Sequence, residues 1–191
     1  MQADLDKILF DRERIARRVS ELAKEISRDL DELPKDGEIV LVSILTGSII
    51  FVADLIRQLP QKFRIELITV NSYPGASTRS QGAVLAGAAV DDVAGKHVLV
   101  IDDILDSGGT LRLIRAELAS RNPKSIRTCV LLRKQRPSAF EIPCEYVGFD
   151  IPDVFVVGYG LDYNNYYRNL PDIGILRPEA MLPDAPPGGP P

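Results

Sequence analysis

At 191 residues the chain fits one domain, long enough to close a three-layer core without metal or disulfide support. A net charge of -4 at pH 7 argues against a non-specific nucleic-acid binder, which needs a basic face for phosphate contacts. Charged residues at 26% and hydrophobic ones at 45% are those of a soluble enzyme, and the apolar run 49–53 meets Asp54 too soon for a membrane span or signal peptide, so a cytoplasmic location is expected.

Residues 7–10 predict a short edge strand, after which Asp11 caps a helix with Ile15, Val19, Leu22, Ala23, Ile26 and Leu30 at helical spacing. That stripe is core packing. Pro34, Asp36 and Gly37 break the chain before the first fully buried strand, 38–44. Thr46, Gly47 and Ser48 separate this strand from a helix starting near Ile49, so the amides of Gly47 and Ser48 can face an anion. A second strand is expected over 63–71. Residues 72–82 are small and polar, with almost no core formers, and read either as a plain surface loop or as a lid.

Strands are expected over 84–90 and 97–102, joined by a turn at Asp91, Asp92 and Gly95. Val98, Leu99, Val100 and Ile101 suit a strand buried on both faces, the pattern of a parallel sheet. It ends in Asp102 and Asp103, and the loop Asp106, Ser107, Gly108, Gly109 and Thr110 precedes a helix carrying Leu111, Ile114 and Leu118. Ligands of open α/β sheets bind outside the carboxyl ends of strands. Glycines that let backbone amides converge, two hydroxyls and a helix N-terminus make a cradle for one phosphate. The loop lacks the lysine of a Walker motif, and no Gly-x-Gly-x-x-Gly follows a strand, so triphosphate and dinucleotide readings lose support. Adjacent carboxylates can accept two neighbouring sugar hydroxyls or hold a hydrated divalent cation. A sugar phosphate fits both halves.

Asn122 and Pro123 end the helix, and 125–132 is the next buried strand. It leads to Arg133, Lys134, Gln135, Arg136 and Pro137, which taken alone are a solvated basic turn. Cys129 and Cys144 have no partner spacing for zinc and read as free thiols. His97 is the only histidine, so acid–base work falls to carboxylates or lysine. A late strand is expected over 154–159, where Phe155 is either a core residue or a stacking platform for a flat base. Asp162 and Arg168 follow on a loop suited to a metal-bound pyrophosphate, although Asp162 without its flanking motif reads first as a turn carboxylate. From Arg177 onward the chain holds six of its fourteen prolines and reads as a disordered tail.

Residues 98–110 resemble the phosphoribosyl-pyrophosphate signature of type I phosphoribosyltransferases: an apolar strand, two acids, two apolar residues, Asp, Ser or Thr, Gly, any residue and Thr. Residues 145–172, with Val147-Gly148-Phe149-Asp150-Ile151-Pro152-Asp153 and Phe155-Val156-Val157-Gly158-Tyr159-Gly160-Leu161-Asp162-Tyr163, resemble the 6-oxopurine branch, the hypoxanthine-guanine phosphoribosyltransferases. The resemblance runs over 7–176. It implies an α/β fold with a mainly parallel twisted sheet flanked by helices, and a small hood built from N-terminal and late segments. The domain would span 1–176, leaving 177–191 as the tail.

The implied activity is purine salvage, moving the 5-phosphoribosyl group of phosphoribosyl pyrophosphate to N9 of hypoxanthine or guanine with Mg2+, in a homodimer or homotetramer. On the resemblance, Asp102 and Asp103 engage the ribose hydroxyls directly or through magnesium-bound water, and Asp106 to Thr110 hold the 5-phosphate. Asp106 also faces N7 as general acid/base. Thr46, Gly47 and Arg168 serve pyrophosphate, Lys134 reads O6, Phe155 stacks, and the Val156 backbone lines the base edge. Asp162 joins Asp102 and Asp103 as a metal ligand and lies beside the base, and Ser72 and Tyr73 begin the lid. There are two departures from the family: Thr46 stands where it carries a lysine preceded by a cis peptide, and Asp102 where it usually carries Glu. A xanthine-preferring sibling and an RNA-binding regulator on the same fold are the alternatives.

Overall fold

A computed structural model describes residues 1–34, 37–70, 85–86 and 92–181. Ser72 and Tyr73, expected to begin the lid, and most of the strand expected over 84–90 lie outside the described residues. The main sheet has six strands: β2 (Ile39–Leu45), β3 (Arg64–Val70), β4 (Leu85–Ala86), β5 (His97–Leu105), β6 (Ser125–Lys134) and β7 (Tyr146–Ile151). Their order is β4-β3-β2-β5-β6-β7, with β4 alone antiparallel. This is the expected mainly parallel sheet.

The apolar runs alternate between two cores, as strand periodicity requires. Ile39, Leu41, Leu99, Ile101, Cys129 and Leu131 face α1 (Arg12–Asp31) and α2 (Ile49–Ile56). Val40, Val42, Val98, Val100 and Val130 face α3 (Gly109–Ser120), through Leu111, Ile114 and Leu118. Helix α1 begins as its sequence predicts, with the Asp11 carboxylate accepting from Arg14 N at 2.7 Å. Its Arg18 donates to the carbonyls of Val147 and Gly148 at 2.8 and 2.9 Å, covering the β7 edge of the sheet.

The hood is a second, antiparallel sheet of β1 (Leu5–Phe10), β9 (Ile173–Leu176) and β8 (Val156–Val157), in that order. Leu5, Val157, Leu170 and Leu176 form its small core. The late strand is shorter than expected, because the turns at Gly158 and Tyr159 bend the chain away after two residues. Of the expected tail only 177–181 are described, and these residues belong to the hood. Arg177 N donates to Asp4 O at 2.9 Å, Pro178–Ala180 form a 3-10 turn, and Ala180 and Met181 pack on the hood core. A short helix α4 (Pro137–Phe140), not expected from sequence, follows β6.

His97 opens β5 at the end opposite its acids, with Nδ1 2.8 Å from Ser125 Oγ, and burial lowers its pKa. Both cysteines are free thiols. Among the described residues no helix is long and apolar enough to cross a membrane.

Candidate active site

The sheet order places β3 on one side of β2 and β5, β6 and β7 on the other, so the topology reverses between β2 and β5. A crevice opens at such a reversal, outside the carboxyl ends of the two strands. Two expected segments meet there: the Thr46-Gly47 turn after β2 and the acid-rich end of β5. Strand β5 runs to Leu105, three residues further than expected, because its ladder with β6 continues through Ile104↔Leu132 and Leu105↔Arg133. Asp102 and Asp103 therefore stand on the strand itself.

Beyond it the chain turns through Gly108, whose φ of +83 and closeness to Ile142 leave no room for a side chain. Gly108 is also the N-cap of α3 and has no side chain to cap it; among the described residues a long 3.5 Å hydrogen bond from Gly109 N to Ser107 Oγ is what reaches its first amides. Uncapped amides at a helix N-terminus are an anion site. Helix α1, by contrast, is closed by the Asp11 carboxylate.

Burial raises the pKa of Asp102 well above the usual carboxylate range, and the charge of Asp103 pushes it further. Asp103 is raised by burial too, opposed by hydrogen bonds from Asp102 and nearby amides and by Arg168. A buried acid beside a half-buried one favours a partner that carries positive charge or donates hydroxyl hydrogens. The Leu45–Thr46 peptide is cis, as the resemblance implied, and Thr46 is exposed. A Cβ on Gly47 would lie 1.8 Å from Asp103 Oδ2, and one on Gly160 2.1 Å from Gly47 O. The β5 acids, the Gly47 turn and the Gly160 turn therefore stack in direct contact. Arg168 ties the last of these down, donating to Gly160 O at 2.8 Å and pairing with Asp162 at 2.8 Å.

Asp162, expected as a metal ligand, has a protein partner on each oxygen. One of its oxygens holds Arg168 and the other accepts from Asn165 N at 2.7 Å. Among the described residues no three acidic, histidine or cysteine side chains converge as metal ligands, so Asp102, Asp103 and Asp162 do not form one site by themselves. Asp102 and Asp103 still fit Mg2+, which typically takes one or two carboxylates and completes its shell with water and substrate phosphate.

On the other side of the phosphate loop, Lys134 ends β6 with its side chain only 9% exposed. The basic turn expected from the bare sequence is thus wrong for this residue. Its Nζ donates to Asp106 Oδ2 at 2.8 Å and lies 3.4 Å from Asp153. Arg136 bridges the same two acids at 2.7 and 2.6 Å. Phe155 is 42% exposed and its ring stands perpendicular to that of Tyr163 at 5.6 Å, while Val156 is buried in β8. Arg136 and Asp153 were not singled out as site residues from sequence.

A nucleotide-type sugar-phosphate site at the switch point of a parallel sheet is what these parts define, and the chain belongs to the phosphoribosyltransferase family: the phosphoribosyl transferase domain matches residues 7–164. Among its relatives are hypoxanthine-guanine phosphoribosyltransferases. That of Mycobacterium tuberculosis is 43% identical over 92% of this chain and 88% of its own. That of Dictyostelium discoideum is 43% identical over 91% and 96%. A Trypanosoma cruzi hypoxanthine phosphoribosyltransferase variant, solved as a ternary substrates complex, superposes with a TM-score of 0.86 at 38% identity, over 94% of this chain and all of its own.

Proposed function

We propose that the chain transfers the 5-phosphoribosyl group from phosphoribosyl pyrophosphate to N9 of hypoxanthine or guanine, giving the nucleotide and pyrophosphate. The observation that carries this reading is the buried Lys134 ammonium hydrogen-bonded at 2.8 Å to Asp106, at the mouth of an uncapped phosphate loop. A donor and a carboxylate side by side match the O6 and N7 edge of a 6-oxopurine. Relatives with this activity in their names, over nearly the whole chain, support it.

The residues divide the work by charge. Asp106 to Thr110 hold the 5-phosphate on the α3 N-terminus, and Asp102 and Asp103 orient the ribose through its hydroxyls. The Gly47 turn and Arg168 receive pyrophosphate, with Thr46 supplying no charge, so backbone amides and Arg168 carry that contact. Asp106 holds or moves the proton at N7, Lys134 fixes O6, and Phe155 stacks on the ring. When bound by Asp102 and Asp103, Mg2+ supplies positive charge that neutralises the pyrophosphate leaving group. We further propose a homodimer or homotetramer; a related Trypanosoma cruzi hypoxanthine phosphoribosyl transferase structure concerns the role of the C-terminal region in oligomeric state and activity.

Hypoxanthine with phosphoribosyl pyrophosphate and Mg2+ should yield a nucleotide, followed by the change in ultraviolet absorbance. Chelating the metal should reduce turnover to background and re-adding Mg2+ restore it; turnover that survives chelation contradicts the metal assignment. The stacked turns give a second expectation. Gly160→Ala must displace the Gly47 carbonyl, and a misplacement of about 1 Å in a binding element costs roughly 10²-fold, here in kcat/KM for phosphoribosyl pyrophosphate. Gly95→Ala is the control, since Gly95 also has positive φ but nothing within 4 Å of its would-be Cβ. Equal kinetics for the two variants would show that the Gly160 contact does not matter.

A further inference from the structure

Lys134, Arg136, Asp106 and Asp153 form a closed square in which each cation touches both acids, at 2.8 and 3.4 Å from Lys134 and 2.7 and 2.6 Å from Arg136. The proposed reaction uses two of its corners and leaves Arg136 and Asp153 without a part. Building on that reading, we infer that Arg136, anchored by Asp153, is a positioning residue that holds Asp106 in place while Lys134 leaves it for the base.

The two oxygens of Asp106 are used differently. Oδ2 accepts the Lys134 hydrogen bond. Oδ1 is buried and lies 2.7 Å from Arg136 Nη1, yet no aligned hydrogen bond reaches it, so Arg136 holds it by charge. When a 6-oxopurine enters, Lys134 turns an N–H to O6, and Oδ2 loses its donor at the moment it must face N7. With Arg136 absent, that carboxylate would have no cation on it and Asp153 would compete for the ammonium, drawing Lys134 off the base and letting Asp106 swing. With Arg136 in place the square stays neutral, and only one hydrogen bond has to change hands. Asp153 plays the complementary part: at 2.6 Å it fixes the guanidinium, and it remains within reach of Lys134.

A role carried by charge rather than by an aligned hydrogen bond makes a specific pattern. Steady-state kinetics with hypoxanthine and phosphoribosyl pyrophosphate should show Arg136→Gln lowering kcat about 10-fold while KM for phosphoribosyl pyrophosphate stays within about twofold, the mark of a misplaced catalytic group rather than a lost binding contact. Arg136→Lys, keeping the charge, should recover to within about threefold of the parent. Adding Asp153→Asn to Arg136→Gln should cost little more, because its partner is already gone. Arg136 is half-buried at the rim of the site, so thermal melting of each variant beside the parent chain separates a kinetic loss from a folding defect. An Arg136→Gln variant with the parent kcat, or an Arg136→Lys variant as slow as Arg136→Gln, overturns the inference alone. A parent chain with no turnover overturns the transferase reading and the inference with it.

Discussion

Asp106→Asn is expected to lower kcat by about 10²–10⁴-fold, the usual contribution of a positioned proton-transfer group. Asparagine keeps the shape and still offers an oxygen to Lys134, now 2.8 Å away, so the change removes the proton acceptor together with the negative charge that Lys134 and Arg136 face. The loss should appear in kcat with hypoxanthine and guanine alike, since N7 is common to both. A variant turning over near the parent rate would remove Asp106 from the chemistry and leave it as a phosphate-loop residue.

Lys134→Ala should collapse the choice between bases. An ammonium donor aimed at the base suits a 6-oxo group and meets the amine of adenine donor to donor. Sites built around such a hydrogen bond discriminate by as much as 10⁴–10⁵, so the hypoxanthine preference over adenine should fall by at least about 10²-fold on truncation. The energy is large here because Lys134 is nearly buried, and its loss also leaves two acids facing a single Arg136. Retention of the full preference in Lys134→Ala would mean that base choice is made elsewhere.

What the sequence made legible follows the reach of each signal. Strand runs buried on both faces announced the parallel sheet, and the acids after Ile101 announced a site at a strand end, because both signals are local. The phosphate loop was equally plain: Gly108 has the positive φ and crowding that require glycine, and its helix lacks a cap. Lys134 was different. Within a run of basic residues its burial depends on the length of β6, which continues two residues past the apolar pattern, and only the family resemblance pointed to it.

The pairing of Arg136 with Asp153 was out of reach for a related reason. The two meet only because β6 and β7 lie in parallel register, Lys134 opposite Ile151, bringing two loops side by side. The protein partners of Asp162 were also out of reach. Its motif suggested a metal ligand, but a local turn to Asn165 and an ion pair to Arg168 engage both oxygens, and nothing in the order of residues separates those outcomes. At 177–181 proline content is blind to the contacts of Arg177 with Asp4 and Leu5 that extend the hood.

The most direct test of the central claim is to offer hypoxanthine, guanine, xanthine and adenine in turn, with phosphoribosyl pyrophosphate and Mg2+, and to follow nucleotide formation spectrophotometrically. The account predicts turnover of hypoxanthine or guanine, with adenine rejected because Lys134 faces its amine. Turnover of adenine at a comparable rate, or silence with all four bases, would contradict it.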